Sequence, residues 1–149
     1  MPATPSPLLG PIIALVAWSL VMLFWMGIAR RRALQSLGSR LELKPGMRGS
    51  DLERVVEPRL QWPAHNYNHM LEQPTLFYAI CFALILLGGG GVAVNLWLAW
   101  GYVALRVAHS VVQATINIVK LRFLLFGLAS FCLLGLTVHA AARVLRASF

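Results

Sequence analysis

Arg106, His109, Gln113, Asn117 and Lys120 recur at steps of three and four residues. At about 100° per residue they fall, with Tyr102, inside an arc of roughly 80° on one helix face. Two cations, an imidazole and two amides on a single stripe suit the capture of an anion. Guanidinium and ammonium groups hold carboxylates, and the amides complete the hydrogen bonds. Arg122 follows directly after this stripe. Earlier in the chain Asn68, His69 and Glu72 form a second polar group, in which Asn68 and Glu72 are four apart and share a helical face. Glu72 is the only acid outside residues 30–66. An ion pair from Glu72 to Arg106 or Lys120 is expected. Counting Arg106, Lys120 and Arg122 against Glu72 leaves two positive charges over, which an anionic ligand would satisfy.

Two other chemistries use some of the same residues. His65, His69 and Glu72 are spaced four and three apart, as metal ligands on one helix face can be. Pro63 sets His65 at a fraying helix start and no further ligand lies close, so no metal is expected. The alternative without chemistry is that the polar groups only lock helices together. That accounts for any single amide but not for the surplus of cations.

These residues must be positioned by membrane spans. Of 149 residues 58% are hydrophobic and 12% charged, and the mean hydropathy is +0.70, values of a polytopic membrane protein. The net charge of +8 sits beside apolar runs and not in a separate basic domain, so no nucleic-acid partner is expected. Cys81 and Cys132 lie inside apolar runs and read as buried free thiols. No Walker loop, Ser-His-Asp arrangement or dinucleotide fingerprint is present, and Gly88 to Gly91 lacks the lysine that phosphate cradling needs.

The whole chain, 1–149, reads as one membrane domain with spans at about 8–29, 67–87, 92–117 and 121–142. The first run is expected to be retained as a span, because the residues before it are not basic and it is longer than a usual signal core. Arg30, Arg31 and Arg32 are expected to stop that span and to open a cytoplasmic loop, 30–66, that also holds Arg40, Glu42, Lys44, Arg48, Arg54 and Arg59. Within the loop, Ser50 to Glu53 has the form of a capping box and predicts a short helix ending before Pro58. The four glycines make a tight turn between antiparallel spans, and His139 reads as an interfacial or packed histidine. By charge, both termini lie outside. Arg106 then sits past the middle of the third span, where an ionised group needs a partner or water.

The segment NYNHMLEQPTLFYAI, residues 66–80, and the segment ALRVAHSVVQATINIVKLRF, residues 104–123, together resemble the bacterial branch of the MAPEG family, the membrane-associated proteins of eicosanoid and glutathione metabolism. The resemblance implies an all-α, four-helix transmembrane bundle, a homotrimer in a bacterial inner membrane, with glutathione as cosubstrate bound between subunits near the cytoplasmic side. It implies a transferase or peroxidase acting on lipophilic electrophiles drawn from the bilayer. Glu72 falls on the family's glutathione-binding glutamate, and His69 takes the place of its asparagine, with Asn68 one step away. Arg106 and His109 match an Arg and a His of the third helix, and Arg122 matches the arginine credited with stabilising the thiolate. A thiol of pKa about 8.5 needs such help at neutral pH. Asn68, Gln113, Asn117 and Lys120 would hold the tripeptide's amides and carboxylates, and Glu72 its amine. The chain departs from the pattern in reading Pro63-Ala64-His65 where an Arg precedes the Asn, and Gln113 and Phe126 where tyrosines stand. The family also has a non-catalytic member that presents lipid, so a lipid-binding or scaffold role is the alternative.

Overall fold

The computed structural model describes residues 4–38 and 45–147; the charges expected to act at Arg40, Glu42 and Lys44 lie outside the described residues. It is all-helical there, with α1 (Leu9–Leu37), a 3₁₀ helix (Gly49–Arg54), α2 (Pro58–Met70), α3 (Gln73–Leu86), α4 (Ala93–Thr115) and α5 (Val119–Ala147). Three stretches are long and apolar enough to cross a membrane: Leu9–Leu37, Pro58–Leu86 and Val119–Arg146. The helix α4 is also long enough, but one of its faces is polar.

Several helices extend beyond the expected spans. The arginine triplet does not end α1, because arginine is a good helix former and leaving the hydrocarbon does not require leaving the helix. The helix stops at Gly38, whose φ of 50° breaks it. The helix α2 starts nine residues before the expected span, with Pro58 at a first-turn position where its fixed φ is an asset. Pro63 lies inside this helix and costs only the bond that its nitrogen would have given to the Arg59 carbonyl. The expected loop 30–66 is thus helical at both ends. The short helix within it is 3₁₀, and its cap lies two residues early. The Arg48 amide donates to the Asp51 carboxylate at 2.7 Å, and Ser50 plays no such part.

The expected second span is divided. Leu71 and Glu72 leave the helix, and Glu72 takes φ −85°, ψ −93°. Pro74 lies in the first turn of α3 and brings no amide hydrogen to the Met70 carbonyl, so a continuous helix would lack that bond. Five α-helices therefore stand among the described residues where four spans were expected.

Ile12 and Leu15 of α1, Phe77, Cys81 and Leu84 of α3, Tyr102 and Val103 of α4, and Leu133 and Leu136 of α5 form the core. Phe77 and Tyr102 stack at 4.4 Å within it. Cys81 and Cys132 are free thiols. Large apolar side chains such as Phe24, Trp97, Phe123 and Phe131 point outward, as they do where lipid is the solvent. A smaller cluster of Ala33, Leu52 and Val56 pins the 3₁₀ helix to the far end of α1. At the opposite end, Asn95 donates to the Gly89 carbonyl at 3.0 Å, His139 donates to Asn95 at 2.7 Å, and Arg143 donates to the Leu87 carbonyl at 3.1 Å. These bonds satisfy the end of α3 and fix the glycine turn.

Candidate functional site

The α2–α3 pair and α4 run antiparallel and share three polar rungs, each about one turn from the next. Asn66 donates to Ser110 at 2.6 Å. His69 meets Arg106, whose guanidinium donates to the His69 carbonyl at 2.9 Å and reaches its Nε2 at 3.3 Å. Gln73 accepts from Tyr102 at 3.3 Å and donates to Ser130 of α5 at 2.8 Å. A step of three or four residues up one strand of this ladder is met by a step of four down the other, which is how helical periodicity aligns antiparallel partners.

The predicted stripe is real over α4. Tyr102, Arg106, His109 and Gln113 are all buried, as is Ser110 beside them. Its continuation is not. The helix ends at Thr115, and Asn117 adopts φ 51°, the left-handed conformation in which asparagine often closes a helix. The Asn117 amide donates back to the Val112 carbonyl at 2.7 Å. Because the chain turns here, the 100° progression restarts on α5. Lys120 is carried to an exposed position and does not join the stripe. Asn117 instead uses its side-chain oxygen to accept from Arg122 at 2.7 Å.

Asn68 is likewise exposed. It lies about 100° from His69 around α2, and the break at Leu71–Glu72 removes the face that it was to share with Glu72. The expected ion pair from Glu72 to Arg106 or Lys120 does not form among the described residues. Glu72 is 69% exposed at its side chain and accepts from His69 Nδ1 at 2.9 Å. A carboxylate acceptor at Nδ1 and a guanidinium donor at Nε2 suit the tautomer in which His69 donates from Nδ1 to Glu72 and accepts from Arg106 at Nε2. His65, the other histidine of the considered metal triad, pairs with Glu53 at 3.0 Å. No group of metal-binding side chains occurs among the described residues.

Arg106 is fully buried and yet lacks a direct carboxylate partner among the described residues. Its charge faces the carbonyl end of α2, where the aligned peptide dipoles place about half a negative charge. An unbroken helix would have spent the His69 carbonyl on the Gln73 amide. The break frees it for the guanidinium. Phe126 adds its ring face, 5.8 Å from the guanidinium carbon.

His69, His109, Val119, Arg122, Phe123 and Phe126 line a cavity of about 230 Å³ where α2, α4 and α5 meet. The His69 ring lies 5.1 Å from that of His109 and 5.4 Å from Phe126. Among the described residues Nδ1 of His109 and Nε of Arg122, both on cavity-lining side chains, are buried without a partner, as are Nε of Arg106 and Oε1 of Gln113, which do not line the cavity but share the polar stripe of α4 with His109. Of these, the His109 imidazole nitrogen and the Arg122 donor belong to side chains that a ligand or water in the cavity would meet. With Lys120 outside, Arg106 and Arg122 against Glu72 leave one positive charge where two were expected.

Of the expected site residues, the structure brings together His69, Arg106, His109, Gln113 and Arg122 with Asn117 behind Arg122, keeps Glu72 at the rim through His69, and leaves Asn68 and Lys120 apart. Asn66, Gln73 and Ser110 were missed. The signal for the first two was the same period that marks α4, since residues 66, 69 and 73 step by three and four.

No curated protein and no solved structure matches the sequence. The apolar helices, the buried polar face between them and the two segments that resemble one family agree with a match to that family's model over most of the chain. This integral membrane protein belongs to the MAPEG family, whose model matches residues 8–142.

Proposed function

We propose that the chain is a glutathione-dependent transferase or peroxidase that acts on lipophilic electrophiles, with Arg122 stabilising the thiolate. The observation that carries this reading is the set of unpartnered buried polar atoms on His109 and Arg122, which line one cavity, and on Arg106 and Gln113 of the same polar stripe as His109. They fit a small acidic peptide. Guanidinium donors suit its carboxylates, the Gln113 oxygen suits an amide hydrogen, and the exposed Glu72 suits its amine.

Glutathione would supply the nucleophilic sulfur. Arg122, held at one nitrogen by Asn117, presents its remaining donors to the cavity and favours the thiolate over the thiol. Val119, Phe123 and Phe126 make the cavity's apolar wall, and Phe123 is 78% exposed, so that a lipophilic electrophile from the bilayer would enter past it. In transfer to an aryl halide, a carbon–sulfur bond forms and the halide leaves with the bonding pair. The cavity's 230 Å³ is below the roughly 300–1,000 Å³ of a complete small-molecule site. A neighbouring subunit would supply the remainder, in keeping with the homotrimer that the resemblance implies. The arginine-rich end of α1 would lie at the cytoplasmic face of a bacterial inner membrane, with the termini outside.

The test uses purified protein, glutathione and a reactive aryl halide or lipid hydroperoxide. Turnover in the wild type that falls about 100-fold in Arg122→Ala, the scale of losing a positioned charge-stabilising donor, supports the assignment. Turnover that survives the substitution removes Arg122 from its role. Absence of turnover with every electrophile would instead support the lipid-binding or scaffold reading.

A further inference from the structure

A second cavity, of about 160 Å³, lies where α1, α2 and the end of α4 meet, away from Arg122, and is lined by Trp25, Ile28, Arg32, Arg59, Leu60 and Pro63 among others. The helix period explains its α1 wall: Trp25, Ile28 and Arg32 follow at steps of three and four and share a face. On α2, Arg59 and Pro63 are four apart. Ala29 and Ala114 complete the lining, and their small side chains leave room.

The arginine triplet divides its work. Arg30 folds back so that its guanidinium lies against Gly49 of the 3₁₀ helix. Arg31 is exposed and lines neither cavity, whereas Arg32 turns to the new one. Arg59 lies 6.0 Å from the Trp62 ring, which steadies its guanidinium over an aromatic face. Among the described residues neither Arg32 nor Arg59 has a carboxylate within ion-pairing distance. Two cations without an ion-pair partner among the described residues thus meet over one crevice.

The crevice also lies at a telling depth. Some 20 residues of helix cross the roughly 30 Å of hydrocarbon. Counted from Leu9, that boundary falls near Ile28 and Ala29, so Trp25 lies in the interfacial belt and Arg32 about one turn beyond it. The cavity is therefore apolar on its bilayer side and cationic on its aqueous side. We propose that this crevice is a binding site for an anionic phospholipid, its phosphate held between Arg32 and Arg59 and its glycerol and upper acyl chain against Trp25, Ile28 and Leu60. The shared chemistry is a phosphate ester. The apolar half of the lining selects the lipid over a soluble one.

Delipidated protein in detergent, titrated with phosphatidylglycerol, with phosphatidylcholine of the same chains, and with inorganic phosphate, tests this by native mass spectrometry. A basic side chain near a lipid surface contributes about fivefold in affinity, so the pair gives phosphatidylglycerol a preference of roughly thirtyfold. Arg32→Gln and Arg59→Gln each lose about fivefold of it, while Arg31→Gln with Arg54→Gln, which removes two exposed charges elsewhere, leaves it unchanged. The single substitutions alter exposed side chains and are checked for native elution. Equal retention of the two lipids, or an equal loss in the control pair, overturns the site. Displacement of phosphatidylglycerol by millimolar inorganic phosphate overturns the lipid and reassigns the crevice to a soluble phosphate ester.

Discussion

Asn117 ties the fold to the proposed chemistry, and three substitutions separate what it does. Its backbone holds φ 51° to close α4, and its side chain accepts from Arg122 at 2.7 Å. In Asn117→Gly the left-handed conformation is kept at little cost, but the acceptor is lost. Asn117→Ala loses both, adding the roughly 1–2 kcal/mol that a Cβ costs in this region. Asn117→Asp keeps the conformation and replaces a neutral acceptor by a carboxylate, which partly cancels the field of Arg122. Arg122 is only half-buried, so loss of its partner is offset by water and contributes about 1 kcal/mol at most to stability. Thermal unfolding in detergent is therefore expected to rank wild type, Asp and Gly together and Ala below them. Glutathione turnover should rank differently. With its guanidinium released, Asn117→Gly is expected to lose about tenfold or more, since small misplacements near reacting atoms cost up to about 100-fold. Asn117→Asp is expected to lose turnover while keeping its melting point. A Gly variant as active as the wild type would refute the idea that Asn117 aims Arg122, and an Ala variant as stable as Gly would refute the backbone argument.

Other expectations follow from the ladder and the topology. Ser110→Ala leaves the fully buried Asn66 amide without its acceptor and should cost about 1–3 kcal/mol in unfolding, most of it recovered when Asn66→Leu is added. Pro74→Ala restores an amide that lets α2 run into α3; it should lower stability, where removal of a proline from an ordinary helix raises it, because the His69 carbonyl is withdrawn from Arg106, and hydrogen exchange at Gln73 and Thr75 reports the closure. For orientation, Thr4→Cys and Ser50→Cys are both exposed and should react with a membrane-impermeant maleimide from opposite faces, Thr4→Cys from outside; Cys81, fully buried, stays silent.

The spans and the polar face of α4 were legible because both are periodic. Tyr102, Arg106, His109 and Gln113 lie where a 100° progression puts them, and burial follows from their being unwelcome in lipid. The same arithmetic failed where the helix itself failed. Asn117 turns the chain, so Lys120 was extrapolated along a helix that no longer existed. Asn68 was joined to Glu72 across a break that Pro74 announces, two residues after the acid. The short helix does end before Pro58, but Pro63 was read as the start of the next helix, which in fact begins at Pro58, since a proline in the first turn is favourable and one in the next turn costs a single bond. The partnership of Arg32 and Arg59 across α1 and α2 could not be read at all, because it depends on the rotation of two helices about their axes.

The treatment of Arg106 shows why such misreadings share a cause. Outside residues 30–66 the sequence offers one acid, Glu72, and charge balance alone selects it as the partner of a buried cation. The chain solves the problem with its backbone. Ending α2 at Met70 exposes the His69 carbonyl, concentrates the helix dipole at that point, and lets His69 stand between the guanidinium and the carboxylate. Arg106 is thereby held without a salt bridge that would fully neutralise it, and Glu72 is left at the rim, exposed and bound only through one oxygen. A direct pair would have closed the site electrostatically, since two fully compensated charges have little left to offer a ligand. By spending a helix break rather than a carboxylate on Arg106, the fold leaves the Glu72 carboxylate exposed, one hydrogen bond from His69, which with Arg122 lines the cavity.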